Sequence, residues 1–293
     1  MTWTLHHADC LGPEGMATLP DGSVDVALSD PPYDEHTHAA CAARRGCTSY
    51  AESKRGGRRA EYNRARELGF DAITQDEMEA AADQFARVVR RWVLVFCSVE
   101  MIHDWKGALT SAGLEYVRTV VWHKLGCTPQ MTGDRPAQAV EAIVCAHRPG
   151  RKRWNAGGKH GYYAHASVLN RGGHKERVHT TQKPELLLRD LVVDFSDPGE
   201  LILDAYAGSG TTGAAALKLG RRFIGWERDE KYHAVASTRL EAVEPDADEI
   251  ALGEAQKKRK QLGLGLPAPV PPAAAPPEER PDEYADTDYS EGA

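Results

Sequence analysis

Short apolar runs alternate along this chain with stretches of helical periodicity. Strands are expected at Thr2–Ala8, Val24–Leu28, Trp92–Cys97, Tyr116–His123, Val140–His147, Leu201–Asp204 and Arg222–Trp226. Helices fit between several of them. Thr74-Gln75-Asp76-Glu77 reads as a capping box ahead of an Ala-rich amphipathic run to Arg90. Pro184 suits the first turn of a helix reaching Phe195, and Thr211–Leu219 and Asp229–Leu240 give two more. Alternating strands and helices predict an α/β fold, a doubly wound, mostly parallel sheet of about seven strands covered on both faces. Only a Gly- and Pro-bearing loop separates Tyr116–His123 from Val140–His147, so these two are expected as an antiparallel edge hairpin.

The pattern fades after residue 243: Lys257-Lys258-Arg259-Lys260 closes a frayed helix, and a Pro-, Ala- and acid-rich tail follows whose end cannot bury enough apolar surface to offset its chain entropy. That tail changes how the net charge of −7 is read. From Glu278 onward seven carboxylates face one arginine, which leaves about −1 for the rest of the 293 residues. Two internal stretches are basic, Arg44 to Arg66 and Arg148 to Arg177, as expected of a nucleic-acid partner. The N-terminus lacks the basic-then-apolar layout of a signal peptide, and no apolar stretch approaches a membrane span, so a cytoplasmic location is expected. The six cysteines are scattered, without C-x-x-C pairs, and read as reduced thiols; no metal is assigned.

Chemistry gathers at two strand ends. Leu201–Asp204 runs into Gly208-Ser209-Gly210-Thr211-Thr212-Gly213, a glycine loop opening a helix, and Glu227 follows at the end of the next strand, placed for ribose hydroxyls. The loop alone fits a dinucleotide. Asp204, however, sits just before it, where a carboxylate repels a pyrophosphate and attracts a cationic sulfonium such as that of S-adenosyl-L-methionine. The other strand end, Val24–Leu28, empties into Ser29-Asp30-Pro31-Pro32-Tyr33. An exocyclic base amine is a weak nucleophile because its lone pair is delocalised into the ring. Asp30 and the carbonyl of Pro31, held still by the fixed φ of proline, can accept its two N–H bonds and turn the lone pair outward. Pro32 and Tyr33 complete the catalytic set, with Tyr33 able to stack on a base extruded from its duplex. The absence of any Pro-Cys dipeptide argues against carbon-5 cytosine methylation through a cysteine nucleophile.

With both motifs in hand, the chain resembles the amino-group (N6-adenine/N4-cytosine) DNA methyltransferases, in the β-type, circularly permuted order that puts the catalytic motif before the cofactor loop. The resemblance runs from about Trp3 to Val243, a catalytic domain over 1–243 with a basic insertion at 34–73 and a target-recognition segment at 148–178, ahead of a largely disordered tail over 244–293. It implies that Asp9 contacts the cofactor adenine and that Asp204, Tyr206, Gly208, Ser209, Gly210, Thr211, Thr212 and Glu227 form the cofactor site. It also implies that His179-Thr180-Thr181-Gln182-Lys183-Pro184 closes its methionine end, with Lys183 and Pro184 as contacts. Thr180 stands where the family usually has proline. Asp at position 30 is associated with adenine N6, so site-specific methylation of adenine in double-stranded DNA is expected, with cytosine N4 as the alternative and a dinucleotide-dependent oxidoreductase as the remoter one. DNA contacts are expected from Arg44, Arg45, Arg55, Arg58 and Arg59 in the first basic stretch and from Arg151, Lys152, Arg153, Lys159 and Arg171 in the second. Trp154, Asn155, His160, Tyr162, Tyr163 and Asn170 are expected near base edges. The resemblance allows a homodimer and a cognate restriction endonuclease as partners.

Overall fold

The computed structural model describes residues 2–34, 72–127, 136–167 and 182–262. Its strands are β1 (Trp3–His6), β2 (Val24–Ser29), β3 (Val89–Cys97), β4 (Glu115–Leu125), β5 (Val140–His147), β6 (Tyr162–Ala166), β7 (Leu201–Asp204) and β8 (Arg222–Trp226). Its helices are α1 (Gln75–Val88), α2 (Ile102–Ser111), α3 (Glu185–Phe195), α4 (Thr211–Lys218), α5 (Glu230–Glu241) and α6 (Ala247–Gln261). The strands form one sheet in the order β1-β8-β7-β2-β3-β5-β4-β6. Pairing is parallel from β1 through β3, and β5 runs antiparallel to both β3 and β4.

Period-two alternation in the central strands feeds two cores. From β3, Val93, Val95 and Cys97 enter the layer beneath α1 and α2, while Trp92, Leu94 and Phe96 enter the layer beneath α3 and α4. β2 divides likewise, Val24 and Ala27 to one side and Val26 and Leu28 to the other. Strands buried on both faces need covering on both, and the sheet is doubly wound as the pattern predicts. α1 starts at the expected capping box: Thr74 Oγ1 accepts from the Glu77 N–H, and the Glu77 carboxylate accepts from the Thr74 N–H.

Two expectations are corrected. The sheet has eight strands, because β6 pairs parallel with β4. Only Tyr163 of its five residues is buried, so its apolar signal is a single side chain in what reads as a polar loop. The pair β4 and β5 is antiparallel as expected but is not the sheet edge: β5 lies inside against β3, and β6 takes the edge. The segment from 244 carries α6, in the place of the expected frayed helix, and docks on the domain. Ile250 packs on Gly220, Gly253 lies against Pro198, Lys257 Nζ donates to the Pro198 carbonyl, and Arg189 pairs with Asp246 and Glu249. Residues 263–293 lie outside the described ones. Among the described residues no helix is long and apolar enough to cross a membrane.

Candidate active site

The two motifs meet because β2 and β7 are parallel neighbours, with Ala27 opposite Leu203, so both strands deliver their following residues to one edge. The Ala205 N–H donates to Ser29 Oγ across 3.0 Å, tying the start of the glycine loop to the residue before Asp30. Such a crevice, at the carboxyl ends of parallel strands, is where open α/β sheets bind ligands.

In the loop, Gly208 and Gly210 hold φ of +52° and +76°, conformations that side-chain-bearing residues rarely adopt. A Cβ on Gly210 meets Ala236 of α5 at 2.9 Å, whereas the nearest atom to one on Gly208 is 4.0 Å away, leaving that face open. Glu227 braces the loop by accepting from the N–H groups of Gly208 and Asp229, both at 2.8 Å. Burial raises its carboxyl above the ordinary range, against those two hydrogen bonds. Asp204 is buried too. Burial pushes its carboxyl to about 7, opposed by hydrogen bonds from Thr212 and the Tyr206 N–H and reinforced by the charge of Asp30. The hydroxyls of Ser209 and Thr211, expected at the cofactor, are engaged by Arg239 of α5. Tyr206 packs beside Cys10, and Asp9 follows β1 at the same sheet edge, its Oδ1 accepting from the Leu11 N–H.

This set fits S-adenosyl-L-methionine on three counts. The first N–H groups of α4 lack helical partners and suit a carboxylate. A buried carboxylate with a raised pKa suits a cation. The Gly208 face admits close approach of a ligand.

Around Asp30 the structure builds a charge cluster that the sequence reading only half contains. Lys183 Nζ lies 2.6 Å from Asp30 Oδ2, 3.2 Å from Glu141 Oε2 and 3.3 Å from the Tyr33 hydroxyl. The Tyr33 hydroxyl donates to Glu141 Oε2 at 3.0 Å, and Lys124 Nζ stands 2.5 Å from Glu141 Oε1. Asp30 Oδ1 is buried and has no partner among the described residues. Burial raises the Asp30 carboxyl, against the pull of Lys183. Burial alone lowers Lys183, but Asp30 and Glu141 outweigh it and keep the ammonium charged. Lys183, expected at the methionine end of the cofactor, pairs with Asp30 in the structure. Glu141 and Lys124 were missed. Glu141 is a charged residue inside an otherwise apolar strand, which is the one signal that marks it. Pro31 is buried, Pro32 is half-buried, and Pro184 caps α3 at its N-terminus.

The basic residues divide by sheet edge. Arg148 to Trp154 follow the C-terminal end of β5, which pairs with the start of β3, so Arg151, Lys152 and Arg153 lie at the edge opposite Asp30. Lys152 pairs with Glu115, Arg153 with Asp197, and Lys159 with Asp194 at 2.7 Å. Lys152, Arg153 and Lys159, expected at DNA, brace the far edge and the base of α3 through these pairs, and Arg151 is exposed. Asn155 is buried and bonds Ser196 and Val193 carbonyls, Trp154 packs edge-on to Phe195, and the buried Tyr163 donates to Asp194, so these three are also structural. Tyr162 is exposed. Arg44, Arg45, Arg55, Arg58, Arg59, Asn170 and Arg171 lie outside the described residues.

Strand-end carboxylates facing a glycine loop define the class, a cofactor-dependent group-transfer enzyme on an α/β sheet. The DNA methylase family model matches residues 24–238. The Type II methyltransferase M.HinfI of Haemophilus influenzae is 26% identical over 265 residues, 85% of this chain and 71% of its own length. The Type II methyltransferase M2.DpnII of Streptococcus pneumoniae is 32% identical over 161 residues, 50% of this chain and 58% of its own. Among solved structures, the M1.HpyAVI–SAM complex aligns with TM-score 0.58 at 22% identity, covering 82% of this chain and 99% of that one. PvuII DNA methyltransferase (cytosine-N4-specific) aligns with TM-score 0.61 at 14% identity, covering 90% and 94%. The chain belongs to the DNA methylase family and is an amino-group DNA methyltransferase.

Proposed function

We propose that this enzyme transfers the methyl group of S-adenosyl-L-methionine to the exocyclic N6 of adenine in a base turned out of duplex DNA. The cofactor, when bound, supplies a methyl group already activated on a sulfonium. The observation that carries the reading is the junction of β2 and β7, where a buried, unpartnered Asp30 oxygen stands next to the glycine loop. Asp204 holds the cationic end, Glu227 the ribose hydroxyls, and Asp9 the adenine end of the cofactor site. Asp30 Oδ1 accepts one amine N–H and the Pro31 carbonyl the other, while Tyr33 offers a ring face to the base. Alignment of this kind supplies roughly 7–11 kcal/mol of a reaction barrier. Adenine is chosen over cytosine on the family association of Asp at position 30, and the order of Asp30 before Gly208 is read as the circularly permuted β-type arrangement.

DNA contacts are proposed for Arg44, Arg45, Arg55, Arg58, Arg59 and Arg171 on their charge and clustering in the sequence. Methylation of duplex DNA followed by nucleoside analysis tests the reading. N6-methyladenine from the wild type, and a loss of at least about a hundredfold with Asp30→Ala at unchanged cofactor affinity, are expected. N4-methylcytosine overturns the choice of base, and normal turnover by the variant overturns the site.

A further inference from the structure

Methylating an amine nitrogen obliges the enzyme to dispose of a proton, and the cluster around Asp30 has the form of an exit for it. We propose that Asp30, Lys183, Glu141 and Lys124 make a proton relay from the reacting amine to solvent, in which Lys183 passes the proton on and Glu141 receives it. The inference rests on the methyltransferase reading above.

The step balances. The nitrogen lone pair forms the new N–C bond as the donor C–S bond breaks onto sulfur. The nitrogen, now cationic, loses one hydrogen as its N–H bond breaks and an O–H bond forms on Asp30. Lys183 then gives one ammonium proton to Glu141 and takes the proton from Asp30, so Asp30 is again a carboxylate and Lys183 is unchanged. Glu141 passes the proton through Lys124 to water in the same manner.

Geometry supports each hand-over. Carboxylate and ammonium alternate at 2.6 Å (Asp30 to Lys183), 3.2 Å (Lys183 to Glu141) and 2.5 Å (Glu141 to Lys124). Side-chain exposure is 26% at Asp30, falls to 8% at Lys183, and rises again to 11% at Glu141 and 20% at Lys124. Other groups facing the cluster do not compete for the proton. Burial and the Glu141 charge hold Tyr33 protonated well beyond its ordinary range, and burial pushes the Cys97 thiol of β3 up to about 12. The Glu141 charge adds to burial in raising the Asp30 carboxyl, which strengthens Asp30 as an acceptor. Packing does not require such an arrangement, since buried ion pairs are commonly no more stable than apolar residues of equal volume.

The rival role for Lys183 is a fixed counter-charge, and arginine separates the two because a guanidinium keeps its charge but does not give up a proton. Single-turnover methyl transfer to duplex DNA is measured for the full chain, Lys183→Arg, Glu141→Gln and Glu141→Asp, with cofactor affinity by calorimetry. Lys183→Arg and Glu141→Gln are expected to slow the step about a hundredfold at unchanged cofactor affinity. Glu141→Asp should recover part of the rate, and Glu141→Gln should show a larger solvent deuterium isotope effect than the wild type. A wild-type rate in Lys183→Arg overturns the relay. Should that variant melt early, the isosteric Glu141→Gln decides, and a wild-type rate there overturns it equally. An inactive wild type overturns the functional reading itself, whereas an active wild type with fast variants overturns the relay alone.

Discussion

Asp204 links cofactor binding, stability and pH through one proton, which makes Asp204→Asn the most informative single change. Its carboxyl is raised by burial from 3.8 to about 7. In that window the folded protein holds a proton that the unfolded chain has released. Stability contributed by this group therefore falls as pH rises from about 4 to 7 and is constant above, a loss on the order of 4 kcal/mol. Asparagine keeps an oxygen for the Tyr206 N–H and removes the charge. The variant should melt several degrees higher than the wild type at pH 8, with the gap closing by pH 4. Cofactor affinity should move the opposite way. A cation binds the ionised form, so wild-type affinity falls about tenfold between pH 8 and pH 6. The asparagine variant should bind at pH 8 no more tightly than the wild type does at pH 6, with little pH dependence left. Calorimetry in buffers of different ionisation enthalpy reads the released proton directly. Glu227 is also raised, and comparison with Asp204→Asn separates the two. Wild-type affinity that is flat from pH 6 to 8, with no buffer-dependent heat, refutes the assignment of Asp204 to the cationic end.

Two further changes test the loop and the DNA face. Gly210→Val forces a side chain onto a φ of +76° and within 2.9 Å of Ala236, so it should cost about 1–3 kcal/mol by denaturant melts and abolish measurable cofactor binding. Arg151→Ala and Lys152→Ala, at the edge opposite Asp30, should leave DNA affinity and its salt dependence unchanged, whereas Arg153→Ala should lower the melting temperature by leaving the buried Asp197 short of its partner. A reduced salt slope with Arg151→Ala returns that stretch to the DNA interface.

Seven of eight strands and both chemical motifs were legible because they are local: an apolar run, a capping box and a glycine string declare themselves within ten residues or so. What the sequence hid is set by register and direction. Arg151 to Arg153 look like the natural continuation of a basic stretch, but β5 runs antiparallel and carries them to the far edge, and no local pattern states which way a strand points. Lys183 and Asp30 are 153 positions apart, and their contact depends on α3 starting over the edge where β2 ends. Glu141 was passed over because one carboxylate in an apolar strand has no meaning until β4 and the segment before α3 bring Lys124 and Lys183 to it.

That cluster also explains why the edge tolerates so much buried charge. Two carboxylates and two ammonium groups sum to zero, so the site as a whole is neutral, but no single member is replaceable without leaving an odd charge in a poorly solvated crevice. A net-neutral array costs little while the protein waits, and it shifts by one proton without building up charge anywhere along its length. Asp204 stands outside the array and has no ammonium beside it, which is why its proton is free to answer the arrival of a cation.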